Sequence, residues 1–332
     1  MPANLTPQYL KAEEAYKAAR SPEEKLACLE EMLKVIPKHK GTEKLQADIK
    51  RRIAALRKGE KGKGKAVRHD PFRIDRAGAG RLVLLGAPNT GKSSILKAMT
   101  RAKVEVSPAP FTTQLPVPGM LPFEDVQIQV LDLPPITADY VPPGMMEAVR
   151  NSDGILLTAD LGSPDALEQA ELAMETCKAH KILLHPPLSP PELPPDVHPA
   201  LRVLPALLLG TKADLPGAEE TREILEDLLE GKLPLLPLSA ETGLGLEDFR
   251  TQAFRMLDVI RVYSKEPGKP ADREAPFVLK RGSTVLDLAE RIHKDIAANF
   301  KFARVWGAVK HDGIQVSRDH VLADRDVVEI HA

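Results

Sequence analysis

Cysteine is nearly missing from this chain, whose 332 residues include only Cys28 and Cys177. Two thiols so far apart form neither a disulfide framework nor a thiolate metal site, so a reducing, cytoplasmic setting is expected. Net charge is also nearly absent, with 46 Lys+Arg against 47 Asp+Glu. That balance argues against a uniformly basic nucleic-acid binder and against an acidic solvating tail. No apolar run approaches the roughly 18 residues needed to span a bilayer. The charged start, MPANLTPQYLKAEEAYKAAR, holds no signal-peptide core. Aromatic residues make up 4%, and the single tryptophan, Trp306, reads as core and not as a stacking platform. Membrane, secreted and disulfide-rich classes are excluded.

What is present is unevenly spread. Residues 1–75 hold 18 Lys+Arg against 11 Asp+Glu, so a basic front precedes an acidic body. The length predicts two or three domains. In the front, Thr6-Pro7 and Ser21-Pro22 pair a capping residue with a proline at the first helical position. Ser21 with Glu24 makes a capping box. Leu26, Leu29, Leu33 and Ile36 then recur at helical spacing until Pro37. Thr42 opens a third helix with Leu45, Ile49, Ile53 and Leu56 on one face and Lys50, Arg51, Arg52, Arg57 and Lys58 elsewhere. The string KGEKGKGK, Lys58 to Lys65, is a flexible basic linker.

From Arg81 the pattern becomes short apolar strands separated by helix-length segments. Strands are predicted at Leu82–Leu85, Val126–Leu131, Ile155–Thr158, Val203–Leu209 and Leu235–Leu238, with helices starting near Lys92, Pro143, Asp165, Ala218 and Leu246. This alternation predicts an α/β, doubly wound, mostly parallel sheet. Seven prolines in residues 186–199 mark a surface loop. The predicted organisation is a basic helical region and linker (1–75), an α/β domain (76–263), a linker (264–275) and a small sheet-and-helix domain (276–332).

Four strings carry chemistry. GAPNTGKSS, Gly86 to Ser94, fits G-x-x-x-x-G-K-S between a strand and a helix, where backbone N–H groups face phosphates. Gly86, Asn89, Thr90, Gly91, Lys92, Ser93 and Ser94 line this loop. Lys92 is placed to reach the β- and γ-phosphates, and the Ser93 hydroxyl to bind Mg²⁺. Asp132 ends a strand where a phosphate site needs a carboxylate for the metal. In LLLGTKAD, Thr211, Lys212 and Asp214 follow another strand. The Asp214 carboxylate can accept from guanine's ring N–H and amino group together, and the Lys212 stem can cover a base. In LPLSAETG, Ser239 and Ala240 come last, with the Ala240 N–H available to the guanine carbonyl.

In this order, the four strings resemble the signatures of translation-factor-type P-loop GTPases, and APFTT (Ala109 to Thr113) resembles the Obg type. That likeness implies Thr113 as a Mg²⁺ ligand and catalytic residue, with Thr112 its competitor. It also implies that the Asn89 side-chain carbonyl helps hold K⁺ as a catalytic charge; a plain turn role for Asn89 stays open. The block from Pro276, with RIHKDIAANFKFARVWG and DHVLADRDVVEIH, closely resembles a TGS domain, a ubiquitin-like (β-grasp) module. Ile36 to Lys58 resembles the helical region of the developmentally regulated GTP-binding family. Such relatives often carry an extra domain inserted in the GTPase body, for which this chain has no room.

The resemblance implies Mg²⁺-dependent, K⁺-stimulated hydrolysis of GTP to GDP as a ribosome- or RNA-associated switch. The basic front would touch structured RNA, the TGS domain a protein partner, and no membrane is involved. One departure stands out: the family's D-x-x-G ends here in Pro135, which has no N–H for the γ-phosphate, and Ile136 follows. Slow intrinsic turnover and a loose second switch are expected. The alternative is a guanine-nucleotide sensor or RNA-binding adaptor with negligible hydrolysis. No histidine pair has metal-ligand spacing, and neither cysteine has a nucleophile's surroundings.

Overall fold

A computed structural model describes residues 6–18, 22–37, 42, 45–53, 71–100, 115–194, 196–309 and 311–332. The chain forms two compact units, Met1–Asp70 and Pro71–Ala332.

The first unit is helical: α1 (Pro7–Ala18), α2 (Pro22–Val35) and α3 (residues 45–53). Thr6 caps α1 by accepting the Tyr9 N–H at 3.3 Å. Thr42 precedes α3 and accepts the Gln46 N–H through its carbonyl at 2.9 Å. Tyr9, Leu29, Met32, Ile36, Ile49 and Ile53 bury together, so both predicted apolar stripes face one core. Arg51 and Arg52 both pair with Asp48 on the exposed side. Ser21 of the predicted capping box, Leu56, Arg57 and the lysine-rich linker lie outside the described residues.

The second unit begins with a seven-stranded sheet. Its strands are β1 (Arg81–Gly86), β2 (Val117–Phe123), β3 (Val126–Asp132), β4 (Gly154–Asp160), β5 (Ile182–His185), β6 (Arg202–Thr211) and β7 (Leu235–Pro237). The order is β2-β3-β1-β4-β6-β5, with β7 paired to β6. Only β2 and β3 run antiparallel. Alternation along β1 shows why helices cover both faces. Leu82 and Leu84 pack with Ile95 and Leu96 of α4 (Lys92–Met99) and Phe249 of α8 (Leu246–Met256). Val83 and Leu85 pack instead with Met145 of α5 (Met145–Arg150), Ala170 of α6 (Ala166–Ala179) and Leu225 of α7 (Ala218–Leu229). A strand buried on both faces is what a doubly wound sheet requires.

β2 was not predicted, because Pro118, Gly119 and Pro122 argue against a strand. It survives at the sheet edge, where a missing proline N–H breaks no ladder; both prolines are exposed. The short β5 was also missed. The described residues of the proline-rich segment after it form no strand, and Leu188, Leu193 and Val197 are exposed there.

The second sheet contains β8 (Val259–Ser264), β9 (Phe277–Lys280), β10 (Phe302–Trp306), β11 (Ile314–Val316) and β12 (Asp326–His331). Its order is β11-β10-β12-β8-β9. Helix α9 (Val285–Ile292), with a Thr284–Asp287 capping box, buries Val285 and Leu288 against Ile260, Val262, Val305 and Val328. The short α10 (Lys294–Ala298) follows. The expected domain edge at residue 263 therefore falls inside this sheet: β8 pairs with β12 and β9 and belongs to the C-terminal module. Trp306 is half-buried, with Lys265 Nζ 4.9 Å from its ring centroid, so it is not a core residue.

The two sheets meet at the β2–β3 turn. Arg261 of β8, 3% exposed, binds Asp324 at 2.7 Å, Asp125 at 2.8 Å and Glu124. Its guanidinium also lies 4.8 Å from the Phe254 ring centroid. Tyr263 donates to Asp125, and Arg325 binds Glu124.

Candidate functional site

The four strings occupy the C-terminal ends of β1, β3, β6 and β7, where open parallel sheets form their crevices. Local backbone chemistry shapes the first loop. Asn89 (φ 62°) and Gly91 (φ 82°) turn left-handed, a conformation that asparagine and glycine tolerate. Asn89 is exposed. Gly86 must be glycine, because a Cβ there would lie 2.2 Å from Thr158 Oγ1.

Lys92 is buried, and its Nζ donates to the carbonyls of Gly86 (3.0 Å) and Ala87 (2.7 Å). Burial pushes its pKa down to about 8, partly opposed by Asp132. Ser93 donates to Asp132 Oδ2 at 2.5 Å. Asp132 is fully buried, and its Oδ1 has no hydrogen-bond partner among the described residues. Burial raises the Asp132 pKa, against the Ser93 hydrogen bond and the Lys92 charge. A buried carboxylate oxygen with nothing to bind is costly, and a hard cation is the chemistry that fits beside a serine hydroxyl.

Hydrogen bonds chain the remaining strings to this centre. Thr90 Oγ1 meets Thr158 Oγ1 at 2.7 Å. Thr211 Oγ1 donates to Thr90 O (3.0 Å) and Ala159 O (3.2 Å), tying β6 to the first loop. The Ala213 N–H donates to Leu238 O at 3.1 Å, tying the Lys212–Asp214 turn to the last string. Ser239 is buried, and its Oγ accepts from the N–H groups of Glu241 and Thr242, which shapes the turn around half-buried Ala240. Asp214 is exposed, and Ser94 is half-buried. Thr112 and Thr113 lie outside the described residues.

Two features differ from expectation. The second switch is not loose at its start: Leu133, Pro134, Pro135 and Ile136 are all buried. Ile136 packs into the core, and its N–H donates to Gly86 O at 3.2 Å. Rigid prolines followed by an apolar residue anchor this segment. The end of β4 was also missed. Thr158 contacts the first loop, and Asp160 binds Lys212 Nζ at 2.5 Å. Polar residues closing an apolar strand, as in ILLTAD, are the signal that points there.

Among the described residues, no helix is long and apolar enough to cross a membrane, and no group of three or more His, Cys, Asp or Glu side chains gathers to hold a metal.

Known proteins match this arrangement. A family model described as 50S ribosome-binding GTPase matches residues 81–185, and the TGS domain model matches residues 260–332. A GTP-binding protein of Methanocaldococcus jannaschii is 28% identical over 93% of this chain and 92% of its own length. That alignment spans 369 positions, more than this chain's 332 residues, so the relative carries segments absent here. Developmentally-regulated GTP-binding protein 1 of Xenopus laevis is 27% identical over 85% of this chain and 91% of its own length. A crystal structure of a GTP-binding protein from Pyrococcus horikoshii OT3 shares the fold, with a TM-score of 0.50 at 16% identity over 76% of this chain and 99% of that one. This chain thus has a P-loop GTPase fold that precedes a TGS domain, and it is similar over most of its length to developmentally regulated GTP-binding proteins.

Proposed function

We propose that this protein hydrolyses GTP slowly to GDP and phosphate and acts as a switch on ribosomes or structured RNA. The reading rests most on one observation: Asp132 is buried with one oxygen on Ser93 and the other unmatched. Ser93 and Asp132 would hold Mg²⁺, which supplies charge neutralisation on the phosphates when bound; Thr113 is the further ligand implied by resemblance. Lys92 neutralises the β- and γ-phosphates. Gly86 to Ser94 supply the backbone cradle, and Asn89 is the candidate K⁺ partner. Asp214, Lys212, Ala240 and the Thr211 and Ser239 anchors read guanine. A water oxygen bonds to the γ-phosphorus as the bond to the leaving GDP oxygen breaks, in a step dominated by positioning and electrostatics.

Pro135 and Ile136 account for slowness. Neither offers a γ-phosphate N–H donor at the proline nor a side chain to orient water, and the packing of residues 133–136 keeps it so. The same packing favours the second reading, a nucleotide sensor that scarcely hydrolyses. The description of the matching family names the 50S ribosome, and residues 38–68 hold 12 Lys+Arg against 3 acids, which supports a phosphate-backbone contact in a cytoplasmic setting. A protein partner would meet the TGS domain.

Single-turnover hydrolysis in K⁺ and Na⁺ buffers, with Asn89→Ala and Pro135→Gly, tests the switch. Slow, K⁺-stimulated turnover raised by Pro135→Gly is expected. Fast turnover indifferent to cation and to Asn89→Ala overturns it, and tight GTP binding without turnover selects the sensor. Asp214→Asn is expected to shift preference from GTP to xanthosine triphosphate.

A further inference from the structure

We propose that Asp160 is a positioning residue that sets Lys212 for guanine recognition; the assignment rests on the guanine-nucleotide reading above. Asp160 closes β4, and its side chain is only 11% exposed. Nothing in it is free to move. Oδ2 takes the Lys212 ammonium at 2.5 Å, and Oδ1 accepts the Gly162 N–H at 2.9 Å. Its own N–H donates to Gln169 Oε1 of α6 at 2.8 Å.

Lys212 is held at its other end as well. Its backbone is left-handed (φ 54°), an uncommon state for a lysine. Thr211, immediately before it, is anchored to Ala159 O and Thr90 O. With root and tip both fixed, the four-carbon stem becomes a rigid apolar shelf, 41% exposed. Asp214 lies two residues on and is exposed. Shelf and carboxylate are thus presented together from one turn.

An exposed lysine left to itself samples many rotamers, and a ligand that uses its stem must order it on binding. Asp160 orders it beforehand, which lowers that entropic cost. A solvated surface ion pair would do little. Here the carboxylate is buried and also held by the Gly162 N–H, while the Asp160 backbone is tied to Gln169, so the pair holds a geometry.

The test measures equilibrium binding and dissociation of fluorescent GDP and GTP analogues by the full chain with Mg²⁺ present. The variants are Asp160→Asn, Lys212→Met and the pair combined, each with a melting curve. Each single change is expected to weaken binding roughly threefold to tenfold, mostly through faster dissociation. The double variant is expected to be no weaker than Lys212→Met alone, since Asp160 acts through Lys212. A role confined to folding would lower the melting temperature without that non-additivity.

Wild-type affinity in Asp160→Asn, or losses that multiply in the double variant, overturn the proposal. Should Asp160→Asn fail to fold, Lys212→Met decides alone, and unchanged affinity overturns it. A wild-type chain that binds ATP as well as GTP, or is indifferent to Asp214→Asn, refutes the guanine reading itself, whatever Asp160 does.

Discussion

The phosphate-loop crevice and the junction of the two sheets both bury charge, yet they handle it in opposite ways. In the crevice Asp132 keeps an oxygen unmatched, and Lys92 rests on neutral carbonyls. At the junction Arg261 is met by Asp324, Asp125 and Glu124 and stacked on Phe254. Burial raises Asp132, whereas hydrogen bonds from Arg261 and Arg325 hold Glu124 below the usual carboxylate range. The same guanidinium keeps Asp324 low against its burial. A region whose charges are answered internally stabilises the fold, while one left unanswered is poised for a ligand.

The sharpest way to separate the two is Lys92→Met. It is expected to weaken GTP binding by roughly a hundredfold, about 2.7 kcal/mol, while the melting temperature does not fall, because the desolvation penalty of a buried ammonium is removed. Arg261→Met should do the reverse. Unfolding stability, read by urea titration, should fall by about 2 kcal/mol as the partly exposed carboxylates lose their charged hydrogen bonds, with nucleotide affinity held within about twofold. Comparable losses in both assays for either variant would dissolve the distinction.

Proton linkage gives a subtler contrast. Lys92 titrates at about 8 in the fold against 10.5 ordinarily, so between those values the unfolded chain holds the extra proton. Its share of stability therefore rises with pH through that window, while phosphate binding weakens as the ammonium is lost. Junction carboxylates have the other sign. Their folded values lie below the ordinary ones, so their stabilisation is present above about pH 4 and is lost as pH falls further. Arg261→Met should reduce that acid sensitivity, leaving the parts due to Arg325 and Tyr263, as seen in melting curves from pH 3 to pH 6. The smallest effect is expected for Tyr263→Phe, which removes one hydrogen bond to Asp125 and should cost about 1 kcal/mol.

Much of this architecture is legible along the chain. Gly86 to Ser94, Asp132, the Lys212–Asp214 turn and Ser239–Ala240 sit where strand ends and turn chemistry put them. The apolar stripes of the front helices meet as their spacing predicts. β2 was not legible, because its prolines break the usual rule and only its edge position excuses them. β8 was hidden for a different reason. Val259 to Ser264 reads as a strand of either neighbour, and its pairing with β12, far along the chain, decides which. Asp160 carries no motif; its role is visible only when β4 and β6 lie side by side with Asp160 opposite Thr211.

Local rules thus suffice for what short stretches of chain do: a glycine that permits a turn, a proline that denies an N–H, a carboxylate set just past a strand's end. Folding decides which charges remain unmatched. Whether a buried charge is answered depends on residues far apart in sequence, as Arg261 is from Glu124 and Asp125, or Asp132 from Ser93. Desolvation is set by the whole packed neighbourhood, and a linear pattern cannot report it. The net charge near zero concealed this too, because an even balance of acids and bases says nothing about which of them meet.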